Sequence, residues 1–301
     1  MSFSLINKDN QKLFLGSGQV FGAQSIEASY RVNEAPVNFI GTRHFIKVPI
    51  GIQAGAVNLR ALVANKDPFI KCISESTFNG FVLKDTSNIN DNYGFYSGYL
   101  TNYTSSCAIG QMPEVSATFT VLGDLGKIPT GEMPAGALAE LQYIQSNPNQ
   151  GSITKISTPS NIEITLDDAQ TNLVNSYSVS IDVPRQDFYI MGSRFPHQIL
   201  INYPIVATVS FQIIVNDYDF SSFRGFPCKQ TLKNFEINIK NEADATAITS
   251  FRFSGIELVA ESYSVNTEDN LVVNAEYRSY IPILTTSSGN INTPELITST
   301  S

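Results

Sequence analysis

Laid on itself with an offset of about 151 residues, half of its 301-residue length, the chain matches its own sequence in several blocks that keep the same order. Segment 26–43, IEASYRVNEAPVNFIGTR, falls on 177–194, YSVSIDVPRQDFYIMGSR, with Ser29/Ser180, Val32/Val183, Gly41/Gly192 and Arg43/Arg194 identical. The apolar positions agree as well: Ala28/Val179, Tyr30/Ile181, Val37/Phe188, Phe39/Ile190 and Ile40/Met191. Such positions set the buried face of a strand. Further on, Val57, Leu59, Ala61 and Val63 before Asp67 fall on Val209, Phe211, Ile213 and Val215 before Asp219. Tyr96-Ser97-Gly98 falls on Phe253-Ser254-Gly255, Leu100 on Leu258, and Val115, Ala117 and Phe119 on Val273, Ala275 and Tyr277. Leu13 and Leu15 fall on Ile164 and Leu166. Collinear blocks at so long a period predict a duplicated domain rather than a solenoid.

Each half reads as a short leading strand, a long alternating strand, a turn, further strands and a closing pair, an order that suits a sandwich or barrel. The expectation is an all-β chain with minor helix: one domain over 1–150, a second over 151–284, and a mobile polar tail over 285–301. Usage agrees, being rich in Asn, Ser, Thr, Ile, Val, Phe and Tyr and 42% hydrophobic, which favours pleated strands joined by polar turns. Helix is expected at Pro134–Ile144, where Leu138, Leu141 and Ile144 share a face, and Asp67-Pro68 could cap a second short one. The turn-rich Asn147-Pro148-Asn149-Gln150-Gly151-Ser152 then links the halves. Residues 195–216 hold no Asp, Glu, Lys or Arg, but Val209, Phe211, Ile213 and Val215 alternate with Ser210, Gln212 and Ile214. That is the period of a strand, not of a membrane span.

The net charge is −8, which argues against tight nucleic-acid binding, since phosphate backbones are held by basic surfaces. An acidic surface can still face a polyanion that must slide past it. Most of the excess sits in 151–301, with 16 acidic and 9 basic groups against 11 and 10 in 1–150. Cys72, Cys107 and Cys228 have no metal-ligand spacing and read as reduced, buried side chains. His44 and His197 lack accompanying ligands, and no nucleophile elbow or phosphate loop occurs. No enzyme activity, cofactor or metal is therefore expected. The start, MSFSLINKD, has no basic segment followed by an apolar run, so synthesis in a cytoplasm without membrane insertion is expected. Arg43 and Arg194 could bind an anion or hold a carboxylate across a subunit contact, the second being the preferred role.

In SIEASYRVNEAPVNFIG, YSVSIDVPRQDFYIMG and GYLTNYTSSCAIGQMPEVSATFTVLGDLG, and in its two-copy layout, the chain resembles the tail tube proteins of long-tailed bacteriophages. The resemblance covers most of both halves. It implies small β-sandwiches assembled into rings whose inner strands form one barrel around a DNA passage, with stacked rings forming a tube in the virion tail. A fused pair of copies would give homotrimeric, pseudo-hexameric rings, in contact with other tail proteins and with duplex DNA in transit. The last strand of each half then supplies candidate lumen-facing residues. Ser116, Thr118 and Thr120 alternate with Val115, Ala117 and Phe119, and Asn274 and Glu276 with Val273, Ala275 and Tyr277. The polar stretch 84–97 is expected to be a loop at the contact between rings. Two other classes share the pattern: a tail-end or baseplate adaptor of the same fold, and a two-domain sandwich that binds carbohydrate or a host surface. The absence of Trp weighs against the carbohydrate reading.

Overall fold

The computed structural model describes residues 12–31 (without 17), 34–38, 45–49, 54–73 (without 66), 78–83, 90–133 (without 123, 124, 130 and 132), 155–166, 169–171, 174–192, 196–215, 231–264 (without 244 and 246) and 271–281. Among these residues the fold is all-β with short 3₁₀ turns, as at Ile70–Ile73 and Pro159–Asn161. The first half contributes β1 (Lys12–Leu15), β2 (Gly18–Gln19), β3 (Ala23–Arg31), β4 (Glu34–Asn38), β5 (Phe45–Pro49), β6 (Ala54–Leu62), β7 (Phe78–Leu83), β8 (Asn92–Ala108), β9 (Glu114–Val121) and β10 (Leu125–Gly126). The second contributes β11 (Ile162–Leu166), β12 (Ala169–Thr171), β13 (Val174–Asp182), β14 (Arg185–Phe188), β15 (Gln198–Ile201), β16 (Ile205–Val215), β17 (Thr231–Lys240), β18 (Ala247–Ser264) and β19 (Leu271–Ile281).

The two halves pair their strands in the same order. Hydrogen-bonded neighbours run β2-β1-β7-β8-β9-β6-β3 in the first and β12-β11-β17-β18-β19-β16-β13 in the second, all antiparallel. Each half also carries a separate hairpin, β4–β5 and β14–β15. Registers repeat too: Ala28 faces Val57 as Val179 faces Val209, and Leu100 faces Phe119 as Leu258 faces Tyr277. The ladder shifts between Leu100 and Asn102, and again between Leu258 and Ala260. Just before these bulges Ser97 has φ 49° and Gly255 has φ 65°. The equivalent of Ser97 is therefore Gly255, one residue on from the match expected from sequence.

These bends explain why β8 and β18 run to 17 and 18 residues. A bulge and a left-handed residue turn a strand sharply, so one strand can serve two layers. The first part of β8 pairs with β7 and the last part with β9; β18 does the same with β17 and β19. Residues 92–97, expected as loop, belong to this strand, and Asn92 faces Leu83 across the ladder. Residues 84–89, the expected helix at 134–144, the boundary at 150/151 and the tail at 285–301 lie outside the described residues.

The halves join where the last part of β8 pairs with β13, from Asn102↔Asp182 to Ala108↔Ser176. This makes one sheet of eight strands, β3-β6-β9-β8-β13-β16-β19-β18. One face of it is apolar, with Val57, Leu59, Tyr103, Val115, Phe119, Val179, Ile181, Val209, Phe211 and Tyr277 buried. The outer strands close over that face. Phe211 stacks on Phe235 of β17 at 5.8 Å and on Tyr277 at 5.5 Å, and Tyr103 of the first half lies 6.2 Å from Phe251 of the second. A single core cluster runs through both halves. The segment entering the second half is pinned on both sides: the Asn65 amide donates to the Lys155 carbonyl at 2.9 Å, and the Glu242 amide to the Ile156 carbonyl at 2.8 Å.

In the first half the ring of Phe95 fills space that only glycine leaves. A Cβ on Gly80 would stand 2.5 Å from one edge of this ring, and one on Gly98 would stand closer still to the other. Phe95 is 1% exposed and its ring also meets Phe119 at 5.8 Å, so it has no room to retreat. Gly98→Ala is expected to destabilise the protein by about 1–3 kcal/mol through overpacking. Urea unfolding followed by fluorescence would measure this, and an unchanged midpoint would contradict the packing.

Candidate functional site

The other face of the eight-strand sheet carries the polar side chains, because residues alternate between faces along each strand. Read across strands, one row runs Ser25, Arg60, Ser116, Thr104, Ser180, Thr208 and Arg278. The next on one side runs Glu114, Ser106, Ser178, Ser210, Glu276 and Ala260. Beyond it come Ala108, Ser176, Gln212, Asn274 and Ser262. Hydroxyls and amides dominate, and they bond across the ladders. Thr118 donates to Asn58 at 3.0 Å, Asn102 to Asp182 at 2.6 Å, Asn175 to Gln212 at 2.8 Å and Gln212 to Asn274 at 3.0 Å. Ser178, Ser210, Gln212, Ser262, Asn274 and Glu276 line a shallow trough on this face.

All five candidate lumen residues, Ser116, Thr118, Thr120, Asn274 and Glu276, lie on this one face, although they come from strands in different halves. Sequence reasoning missed the middle of it: Asn102, Thr104 and Ser106 on β8, Ser176, Ser178 and Ser180 on β13, and Thr208, Ser210 and Gln212 on β16. The signal was present, since Ser176, Ser178 and Ser180 alternate with the buried Tyr177, Val179 and Ile181. Among the described cations of these rows, Arg60 bonds Glu114 and Arg278 lies 3.9 Å from Glu276. These rows therefore offer hydrogen-bonding groups and carboxylates, with both described arginines beside a carboxylate.

At one end of the face Arg185 of β14 reaches across the junction between halves. Its Nε donates to the Leu100 carbonyl at 3.3 Å and its Nη2 to the Ile73 carbonyl at 3.4 Å, with the guanidinium 5.8 Å from the centre of the Tyr99 ring. Tyr99 in turn donates to Asp187 at 3.3 Å. Burial of its ring, with the nearby Asp187 carboxylate, pushes the Tyr99 hydroxyl up from its ordinary value. Arg43 and Arg194, the arginines singled out in the sequence, lie outside the described residues, as does His44; His197 is exposed.

The most shifted titratable cluster is under the opposite face. Asp67 accepts from the amides of Phe69 and Ile70 at 2.9 and 3.2 Å, capping the 3₁₀ turn as its Asp-Pro sequence predicts, and it also accepts from the hydroxyl of Tyr103. Burial raises the Asp67 carboxyl above its usual range against these bonds, and burial raises the Tyr103 and Tyr177 hydroxyls as well. Nearby, burial pushes the Cys107 thiol up to about 11, and Cys72 is buried and reduced; Cys228 lies outside the described residues. The cluster ties the turn to β8. Among the described residues no three His, Cys, Asp or Glu stand close enough to hold a metal, and no helix is long and apolar enough to cross a membrane. The chain matches no protein-family model and no curated protein.

A carboxyl whose folded pKa is raised favours the folded state at low pH and loses that contribution as pH rises through the folded value. The stability of the protein minus that of Asp67→Asn should therefore grow as pH falls from 7 toward 4. Paired urea titrations at the two ends of this range would read it, and a flat difference would contradict the assignment.

Proposed function

We propose that this chain is a tail tube protein of a long-tailed bacteriophage, a structural virion protein whose stacked rings conduct DNA during ejection, and that its two halves arose by duplication. The observation that carries this reading is the continuous eight-strand sheet spanning both halves, apolar on one face and lined with hydroxyls, amides and paired charges on the other. A sheet with two ends and one wetted face is suited to closing with further copies of itself, because ring closure pairs edges that would otherwise be exposed. Three copies supply 24 inner strands; at ~4.8 Å spacing these span roughly 115 Å of circumference, a barrel about 37 Å across before strand tilt widens it.

Such a wall suits passage rather than holding. Duplex DNA is retained by cations that displace its counterions, and on this face Arg60 and Arg278 already sit beside Glu114 and Glu276. Short Ser, Thr and Asn side chains make up most of the described surface and keep it wet. No catalytic role is assigned: Asp67 and Tyr103 are occupied with each other and with a turn. Its partners in this reading are copies of itself, neighbouring tail proteins and DNA in transit.

Electron microscopy of the purified protein tests the assembly: rings and tubes are expected, and monomers at all concentrations would remove the reading. The lining is tested by charge. Thr118→Lys combined with Glu276→Lys should slow DNA ejection roughly severalfold at low salt, with recovery as salt screens the new cations. Correctly assembled tails that eject at the normal rate would place this face elsewhere.

A further inference from the structure

In the first half the chain crosses back over the bend of β8 soon after it leaves β9. There β10 pairs with the first part of β8, so that Leu125 faces Phe95 and Gly126 faces Gly94. Phe95 thus has Gly80 of β7 on one side and Leu125 on the other. Leu125 packs against the core. Just beyond it the Ile128 amide donates to the side chain of the buried Asn92 at 2.7 Å, and the Asn92 side-chain amide donates to the Ile128 carbonyl at 3.0 Å.

The bend of β18 repeats the setting of this crossing. Gly255 stands where Ser97 does and Leu258 where Leu100 does, so Phe253 and Arg252 stand where Phe95 and Gly94 do. Phe95 and Phe253 are both 1% exposed. Phe253 faces Phe235 of β17 as Phe95 faces Gly80 of β7. Among the described residues no ladder is present on the other edge of β18 at Arg252 and Phe253.

We infer that Ile283 and Leu284 pair antiparallel with Phe253 and Arg252 of the same chain, as the second half's counterpart of β10. The register follows by transfer. Phe119 corresponds to Tyr277, so Leu125 corresponds to Ile283 and Gly126 to Leu284, and an apolar side chain stands at the position that packs on the core. From Val121 to Leu125 is four steps along the chain, and from its counterpart Ser279 to Ile283 is four as well. The ladder of β19 with β16 ends at Ile281, and the next residue is Pro282, which has no amide hydrogen to extend it. The first part of β18 belongs to the layer that closes over the apolar face of the eight-strand sheet. This pairing therefore delivers residues 285–301, whose one charged side chain is Glu295, on the side away from the polar rows. It stands or falls apart from the tube reading.

A disulfide tests the register in the full-length protein carrying Cys228→Ser. Arg252→Cys with Leu284→Cys should, on mild oxidation, link within one chain in most molecules, as read from the mass of the joined peptides after digestion. Directly opposed residues in an antiparallel pair lie within disulfide reach. Arg252→Cys with Ser288→Cys, four residues out of register, should link at least tenfold less. Amide exchange gives a second reading: over 250–254 it should quicken at least tenfold in the chain ended after Ile281 and keep its full-length rate in the chain ended after Ser287. Ile283→Asp in the full-length chain should quicken the same amides, which keeps the test open if the shorter chain does not fold. Equal linking from positions 284 and 288, a link formed only between chains, or exchange over 250–254 unchanged by Ile283→Asp would overturn the pairing.

Discussion

Seven consecutive residue pairs between β8 and β13 turn two small sheets into one. Without that ladder each half would end in a raw edge, and the polar rows would stop at Ser106 on one side and Ser178 on the other. Its register is strongly held, because a slip of one residue would carry Tyr103, Val179 and Ile181 out of the core and bring Thr104 and Ser180 in. Tyr103 is further fixed by its bond to Asp67 and by the ring of Phe251. Arg185 spans the same junction at its end. The join is therefore set by a buried hydroxyl, a half-buried guanidinium and the strand ladder together.

The wetted face is unusual in what it omits. Cross-strand pairs such as Thr118 with Asn58 and Asn102 with Ser180 are each worth roughly 0.2–1 kcal/mol relative to alanine pairs. Stability on this side thus comes from short side chains that are already engaged with one another. Their neighbours on the hidden face supply the larger part through stacked aromatic rings such as Phe211, Phe235 and Tyr277. One sheet can in this way be rigid and still keep a thin, hydrated surface.

Much of this was legible because strand alternation is local. Val57, Leu59 and Ala61, and Val209, Phe211 and Ile213, announce their buried face by spacing alone, and all six are buried. The long strand β8 hid itself for a physical reason: the left-handed Ser97 and the bulge between Leu100 and Asn102 break the two-residue period, so its first six residues read as a continuation of a polar loop. The glycine pair around Phe95 depends on a ring that comes from another turn of the ladder, which no local pattern announces. The meeting of β8 with β13 is also non-local; a self-match shows which segments are alike, not which of them touch.

Carrying both sides of the β8–β13 seam on one chain changes how that contact forms. Two separate half-length chains would have to find each other at whatever concentration the cell makes them. Here the segment between Gly126 and Ile162 tethers one partner to the other, so the encounter proceeds at an effective concentration fixed by tether length, typically of millimolar order. The dependence on expression level vanishes for that seam, and the two strands are supplied in strict one-to-one ratio. The strand at the sheet's end keeps the same place with a different residue, Ser262 standing in β18 where β8 has Thr104.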